Sequence, residues 1–184
     1  MMTSDDVLRV LDLLEGVGVN VWLDGGWGVD ALLREQTRHH NDLDIVMKHD
    51  DVHRFMQAME GAGFRRVEGG TPTNFVVVDG EGREVDVHLV DLDSVGLDGQ
   101  GIEVYGPNGL AYEVGCLEGI GMVLGRRVAC CTAEYQIKSH TGYEPNEDDF
   151  RDVLALHERF GLALPPPFEP DGPFRRKPHA DGGP

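Results

Sequence analysis

Cationic side chains are scarce in this chain. Sixteen Lys and Arg stand against 33 Asp and Glu in 184 residues, a formal net charge of −17. Such a balance argues against DNA or RNA as the main partner, because a polyanion is repelled. It suits a cationic small substrate drawn in by the field; an acidic surface that only maintains solubility is the plainer reading. Cysteine is scarce as well. Cys116, Cys130 and Cys131 are too few and too badly spaced for a disulfide framework or a zinc site. They are expected as reduced, core-filling thiols, which fits a cytoplasmic location. No apolar run reaches the roughly 18 residues of a membrane span, and no basic stretch precedes an apolar one at the N-terminus, so neither a membrane partner nor a signal peptide is expected. Proline is nearly missing from the body of the chain: seven of the ten lie in 165–184. That segment carries no apolar periodicity and is expected to be extended or disordered.

The rest reads as alternating helices and strands. Thr3-Ser4-Asp5-Asp6 starts a helix with acids in its first turn, and Val7, Val10, Leu11 and Leu14 follow at helical spacing. Val19 to Leu23 reads as a strand, Gly25-Gly26-Trp27-Gly28 as a turn into a second helix ending near Arg34, and Asp42 to Met47 as a further strand. Asp50 is expected to cap a third helix closed by Gly61 and Gly63. Phe75 to Val78, the turn 79–82 and Arg83 to Val90 form a hairpin. Residues 91–125 are Gly-rich and carry at most a short strand near Ile102 to Tyr105. Arg126 to Cys131 is a strand; Thr132 and Asn146 cap two last helices, the second closed by Gly161. The pattern predicts an α/β fold with a mixed twisted sheet: a core over 1–131, a small helical part over 132–164, and the Pro-rich tail from 165.

Three acids stand out. A strand sends alternate side chains to opposite faces. Asp42 and Asp44 therefore share one face, while Leu43, Ile45 and Met47 point into a core. Asp86 and His88 alternate in the same way with Val85, Val87 and Leu89. Set side by side, these strands gather carboxylates that repel one another. A hard divalent cation such as Mg²⁺ relieves that repulsion. Gly25 and Gly26 add a place where backbone can approach a triphosphate closely, ahead of a helix N-terminus.

The order of strand, Gly-Gly, helix, loop, D-x-D strand and a third Asp on another strand resembles the nucleotidyltransferase superfamily. More narrowly it resembles the antibiotic nucleotidyltransferases. The run Trp22 to Asp30 and the later run His140-Thr141-Gly142-Tyr143 look like the lincosamide enzymes; Gly25-Gly26-Trp27 and Thr37-Arg38-x-His40-x-Asp42-x-Asp44 are shared with the aminoglycoside 2″-O-nucleotidyltransferases. The resemblance spans roughly residues 5–160. It implies in-line attack of a hydroxyl on the α-phosphorus of a nucleoside triphosphate, ATP first, with Mg²⁺ held by Asp42, Asp44 and Asp86. Asp86 would bind the metal nearer the acceptor, take the hydroxyl proton, or both. Lys138, on a late helix, would meet the triphosphate.

Each flanking residue also has a plainer role. Trp27 packs in the core or stacks on the base. Asp24 and Asp30 act as cap or ion-pair residues, or bind metal. Arg38 clamps phosphate or pairs at the surface. His40 orients a carboxylate or phosphate, and His88 and His140 lie near the site. Tyr143 stacks on a substrate or packs. The acids from Glu144 to Asp149 attract a cationic drug or serve the helix dipole. The expected activity is nucleotidyl transfer to a small antibiotic. The sequence runs favour a lincosamide, and the charge favours an aminoglycoside. The alternatives are a same-fold enzyme acting on protein or tRNA in a toxin–antitoxin module, and a catalytically silent binding module. A homodimer is left open.

Overall fold

The structure, a computed structural model, describes residues 1–107, 109 and 111–170. Two compact units divide it, Met1–Thr132 and a second from Ala133 on. Among the described residues no helix is long and apolar enough to cross a membrane.

The first unit starts with α1 (Ser4–Gly16). Thr3 Oγ1 accepts from the Asp6 amide at 3.2 Å and Asp6 Oδ2 accepts from the Thr3 amide at 3.1 Å, so two orphan donors are satisfied reciprocally. Val7, Val10, Leu11 and Leu14 are buried on its inner face. The chain continues through β1 (Val21–Leu23), α2 (Gly25–Leu33), β2 (Asp42–Lys48), α3 (Val52–Gly61), β3 (Arg65–Arg66), β4 (Asn74–Val78) and β5 (Glu84–Val90). A two-stranded ribbon, β6 (Val95–Leu97) with β7 (Glu103–Tyr105), precedes the last hairpin, β8 (Gly119–Val123) and β9 (Arg126–Cys130). The seven-stranded sheet has the order β3-β4-β5-β2-β1-β9-β8. β2–β5 and β1–β9 are parallel; the other pairs are antiparallel.

The register of β2 on β5 positions the acids. Leu43 faces Val85, Asp44 faces Asp86 and Ile45 faces Val87. Leu43, Ile45, Met47, Val85, Val87 and Leu89 are all buried. A slip by one residue would turn an apolar set outward, and at about 1.5–3 kcal/mol per side chain that costs on the order of 10 kcal/mol. Hydrophobic burial thus dictates the face on which the carboxylates stand, and the observed register sets Asp44 beside Asp86.

Several expectations need correction. Gly25 and Gly26 are not a turn ahead of α2; they are its first two residues, and Asp24 is the N-cap. Asp50 does not cap α3. It lies in a short 3₁₀ turn, His49–Asp51, whose buried Asp51 pairs with Arg54. Val46 shares the face of Asp44 yet is buried, because β2 is a central strand covered on both sides beyond its acidic start. The segment 91–125 holds more strand than its composition suggests: among its described residues are β6, β7 and β8. Gly121 is needed there because a Cβ would collide with Ala31 of α2.

In the second unit α4 (Ala133–Ser139) precedes α5 (Glu147–Phe160), which Asn146 caps through a reciprocal box with Asp149 and Gly161 closes at φ 69°. The tail expected from residue 165 starts differently. Pro166–Phe168 forms a 3₁₀ turn, and Phe168 is fully buried, edge-on to Phe150 at 5.0 Å. One aromatic anchor offsets the lack of periodicity there. The remainder of that tail, 171–184, lies outside the described residues.

Candidate active site

Asp44 on β2 and Asp86 on β5 are register partners, half-buried on one face of the sheet, with His88 one alternation further along β5. One ligand atom from each of Asp44, Asp86 and His88 lies within 4.8 Å of the other two. His88 Nε2 is 3.8 Å from Asp44 Oδ1 and 3.9 Å from Asp86 Oδ2. Asp42 shares the face but sits at the exposed start of β2, opposite Glu84, and falls outside this group of three.

The electrostatics are those of crowded acids. Burial pushes the Asp86 carboxyl up; His88 opposes this, and the charge of Asp44 adds to it. Solvent reaches Asp42, yet partial burial and then Asp44 and Asp86 also push its carboxyl up. Burial alone would lower the His88 imidazole, but Asp44, Asp86 and Asp24 outweigh it and the net direction is upward. Asp86 Oδ1 is buried without a hydrogen-bond partner. Paired hard oxygen donors, mutual repulsion and an orphaned carboxylate oxygen fit a divalent cation, so these residues suit the metal that nucleotidyl transfer uses.

α2 is docked directly on this pair. Gly25 has φ +52°, and a Cβ there would collide with Asp44 Oδ2; a Cβ on Gly26 would collide with the His40 imidazole and lie 2.7 Å from Arg38 Nη2. The two glycines therefore let a helix start touch the acids on one side and the 36–41 loop on the other. Asp30 organises that loop. Fully enclosed, it accepts from the Thr37 amide at 3.0 Å and the Thr37 hydroxyl at 2.6 Å, and His40 Nε2 lies 2.5 Å from its other oxygen. The His40 ring packs on Trp27 at 4.7 Å between centroids. Trp27 is buried, so it packs rather than offering a stacking face, and His40 faces Asp30 rather than the acids. Arg38 Nη1 donates to the His39 carbonyl at 3.3 Å.

The sequence reading missed Tyr112. Its hydroxyl donates to Asp24 Oδ2 at 2.6 Å in a buried contact, while Asp24 Oδ1 accepts from the Gly25 amide at 2.9 Å. The Tyr112 ring lies 6.4 Å from that of His88. One cue was available: a buried tyrosine needs a partner for its hydroxyl, and Asp24 immediately precedes the two glycines.

Lys138, His140 and Tyr143 belong to the second unit. Lys138 is exposed on α4. His140 Nδ1 lies 2.6 Å from the Gln136 carbonyl, and Tyr143 donates to Asp149 Oδ1 at 3.2 Å. Burial and then Asp149 push the Tyr143 hydroxyl up to about 12. Within the acidic run, Asp149 has the cap role: its Oδ2 accepts from the Asn146 amide at 2.7 Å.

A family model described as aminoglycoside-2″-adenylyltransferase matches residues 6–156. A lincosamide resistance protein of Staphylococcus haemolyticus is 29% identical over 163 residues, covering 84% of this chain and 94% of that protein. Among solved structures, the lincosamide antibiotic adenylyltransferase LnuA, lincomycin-bound, superposes with a TM-score of 0.69 at 29% identity, over 84% of this chain and 96% of that one. ANT(2″)-Ia in complex with adenylyl-2″-tobramycin gives 0.63 at 17% identity, over 86% and 89%, a likeness of fold. With a family match that runs from α1 into α5 and takes in the strands carrying Asp44 and Asp86, the chain belongs to the aminoglycoside-2″-adenylyltransferase family of nucleotidyltransferases.

Proposed function

We propose that this protein transfers AMP from ATP to a hydroxyl of a small antibiotic and so confers resistance, with a lincosamide as first acceptor. The observation that carries the reading is the in-register pair Asp44 and Asp86 beneath the first turn of α2. The lincosamide preference follows the 29% identity to a lincosamide resistance protein along most of both chains. The net charge of −17 favours the polyamine aminoglycosides as the second acceptor class.

In this reaction the acceptor oxygen attacks the α-phosphorus, the bond from that phosphorus to the bridging oxygen breaks, and pyrophosphate leaves with the electron pair. Asp86 takes the hydroxyl proton; a carboxyl pushed up by burial is a better base than a solvated one. Asp42, Asp44 and Asp86 would hold Mg²⁺, which neutralises charge on the phosphate oxygens when bound. The triphosphate would meet the first amides of α2 at Gly25 and Gly26, with Arg38 beside them; Lys138 is assigned to it by the family resemblance alone. His40 acts from behind, by fixing the loop that leads into β2. Within the second unit, His140 and Tyr143 stand beside Asp149 in the first turn of α5. A cytoplasmic location belongs to the same reading, since ATP and Mg²⁺ are plentiful there; whether the chain forms a homodimer is read directly by sedimentation of the purified protein.

The test is transfer of label from α-labelled ATP to a panel of lincosamides and aminoglycosides in Mg²⁺. Wild type should label a lincosamide. Asp44→Asn and Asp86→Asn should each lose at least about 100-fold in kcat, the scale of removing preorganised charge from a reacting centre. If wild type labels no drug at saturating ATP, the proposal fails. If either variant keeps the wild-type rate, its assigned role fails.

A further inference from the structure

We propose that His88 is a nitrogen ligand of the metal centre and makes it select Mn²⁺ over Mg²⁺. The inference rests on the metal reading of the proposed site and departs from the all-carboxylate set that the sequence suggests. The third corner of the group with Asp44 and Asp86 is an imidazole, and Asp42 lies outside it. Distances of 3.8 and 3.9 Å from Nε2 to the two carboxylates are too long for hydrogen bonds. They exceed the spacing of about 3 Å between cis ligands 2.1 Å from an octahedral cation, so a side-chain shift of about an ångström draws Nε2 and the two oxygens onto one ion. The imidazole is held in place by packing rather than by its other nitrogen. Nδ1 is buried without a partner, and the ring leans towards Tyr112 at 6.4 Å. Its remaining polar atom therefore faces the carboxylates.

The donor set decides the metal. Two carboxylates satisfy both Mg²⁺ and Mn²⁺, whereas an imidazole adds little for Mg²⁺, a hard ion that keeps oxygen ligands, and more for a first-row transition ion. An enzyme working in Mg²⁺ would use Asp42 and solvent to complete the shell. With Mn²⁺, His88 completes it.

The experiment uses the full chain at one fixed pH, without ATP or drug. Mn²⁺ and Mg²⁺ affinities are measured by titration calorimetry, and bound Mn²⁺ is examined by pulsed EPR for coupling to an imidazole nitrogen. Wild type should bind Mn²⁺ at least about tenfold more tightly than Mg²⁺ and show the nitrogen coupling. His88→Gln, with His88→Asn as a second variant against misfolding, should weaken Mn²⁺ about 10- to 100-fold, change Mg²⁺ less than about threefold, and abolish the coupling. Absence of coupling in wild type overturns the inference, as does coupling that persists in both variants, or an equal loss of both ions. Failure of drug labelling would sink the proposed function and leave the coupling intact; the reverse outcome would leave that function and sink this ligand.

Discussion

Replacing Gly25 by alanine separates the stability of this protein from its chemistry. Two costs arise from the structure. The backbone at Gly25 sits at φ +52°, where an L side chain costs about 1–2 kcal/mol. The new methyl also collides with Asp44 Oδ2 and Cγ, which can rotate aside, and stands 3.2 Å from its Cβ, which must give by a few tenths of an ångström. Relief at that tip is cheap for folding, so the total should stay near the backbone strain. For a chain of this size about 1–2 kcal/mol lowers Tm by roughly 2–8 °C. The same rotation moves a carboxylate oxygen by about an ångström away from Asp86, and misplacement on that scale costs about 100-fold in rate. Melting and label transfer from ATP should therefore diverge: a folded variant with little turnover. Turnover within about threefold of wild type would refute the claim that α2 is docked on a working carboxylate. A fall in Tm far beyond about 8 °C would show that the clash is taken up by the helix rather than by Asp44.

Asp86→Asn should raise Tm in metal-free protein near neutral pH while abolishing transfer. A carboxyl whose folded pKa is raised destabilises the fold once pH passes above its unfolded value of 3.8, and the amide removes that charge; an unchanged or lower Tm counts against the crowding. Tyr112→Phe deletes one donor to the buried Asp24 carboxylate, a loss of about 1.5–3 kcal/mol, read as a fall in the urea midpoint with unchanged slope. Phe168→Ala should cost about 3–5 kcal/mol in urea unfolding, because that ring is fully buried against Phe150; a loss below about 1 kcal/mol would mean the turn does not pack. Arg83→Ala should move acid unfolding, followed by circular dichroism, to higher pH. Burial raises the Asp6 and Asp79 carboxyls, but hydrogen bonds and Arg83 overcome it and hold both below 3.8. Their stabilisation is complete above 3.8 and is lost as pH falls through the lower folded values.

Strongly periodic elements were legible without coordinates. α1, α5 and the hairpin of β4 and β5 follow the expected positions, because apolar spacing and caps act locally. The gathering of acids on one face was also accessible, since Asp44 and Asp86 each lie on an alternating strand with the other face buried; their exact register was not. What stayed hidden depends on contacts distant in sequence. β8 is short and carries Gly119 and Gly121, whose purpose emerges only against Cys130 and Ala31. Tyr112 meets Asp24 across 88 positions. Phe168 follows three prolines, and a rule that such a run cannot build a core overlooked one aromatic with a partner on α5.

The glycine pair shows why a motif and its physical cause can differ. Read as sequence, Gly25-Gly26 suggests a turn into a helix where backbone can approach a triphosphate closely. In the fold both residues open α2, Gly25 with a left-handed φ of +52°, and each is small for a separate neighbour: Gly25 for Asp44, Gly26 for His40 and Arg38. His40 in turn meets Asp30, six residues after Asp24 on the same segment, and Asp30 also holds Thr37. The segment 24–40 is thus closed on itself through the first turn of α2. That closure delivers the chain into β2 with Asp42 and Asp44 on the face beneath the helix. The backbone bond from Asp24 N–H to the Asp44 carbonyl, at 3.0 Å, fixes the same junction from the strand side. A substitution at Asp30 would therefore act on the carboxylates without touching them. Its effect should appear in turnover before substrate affinity, since what it sets is the placement of Asp44 relative to Asp86.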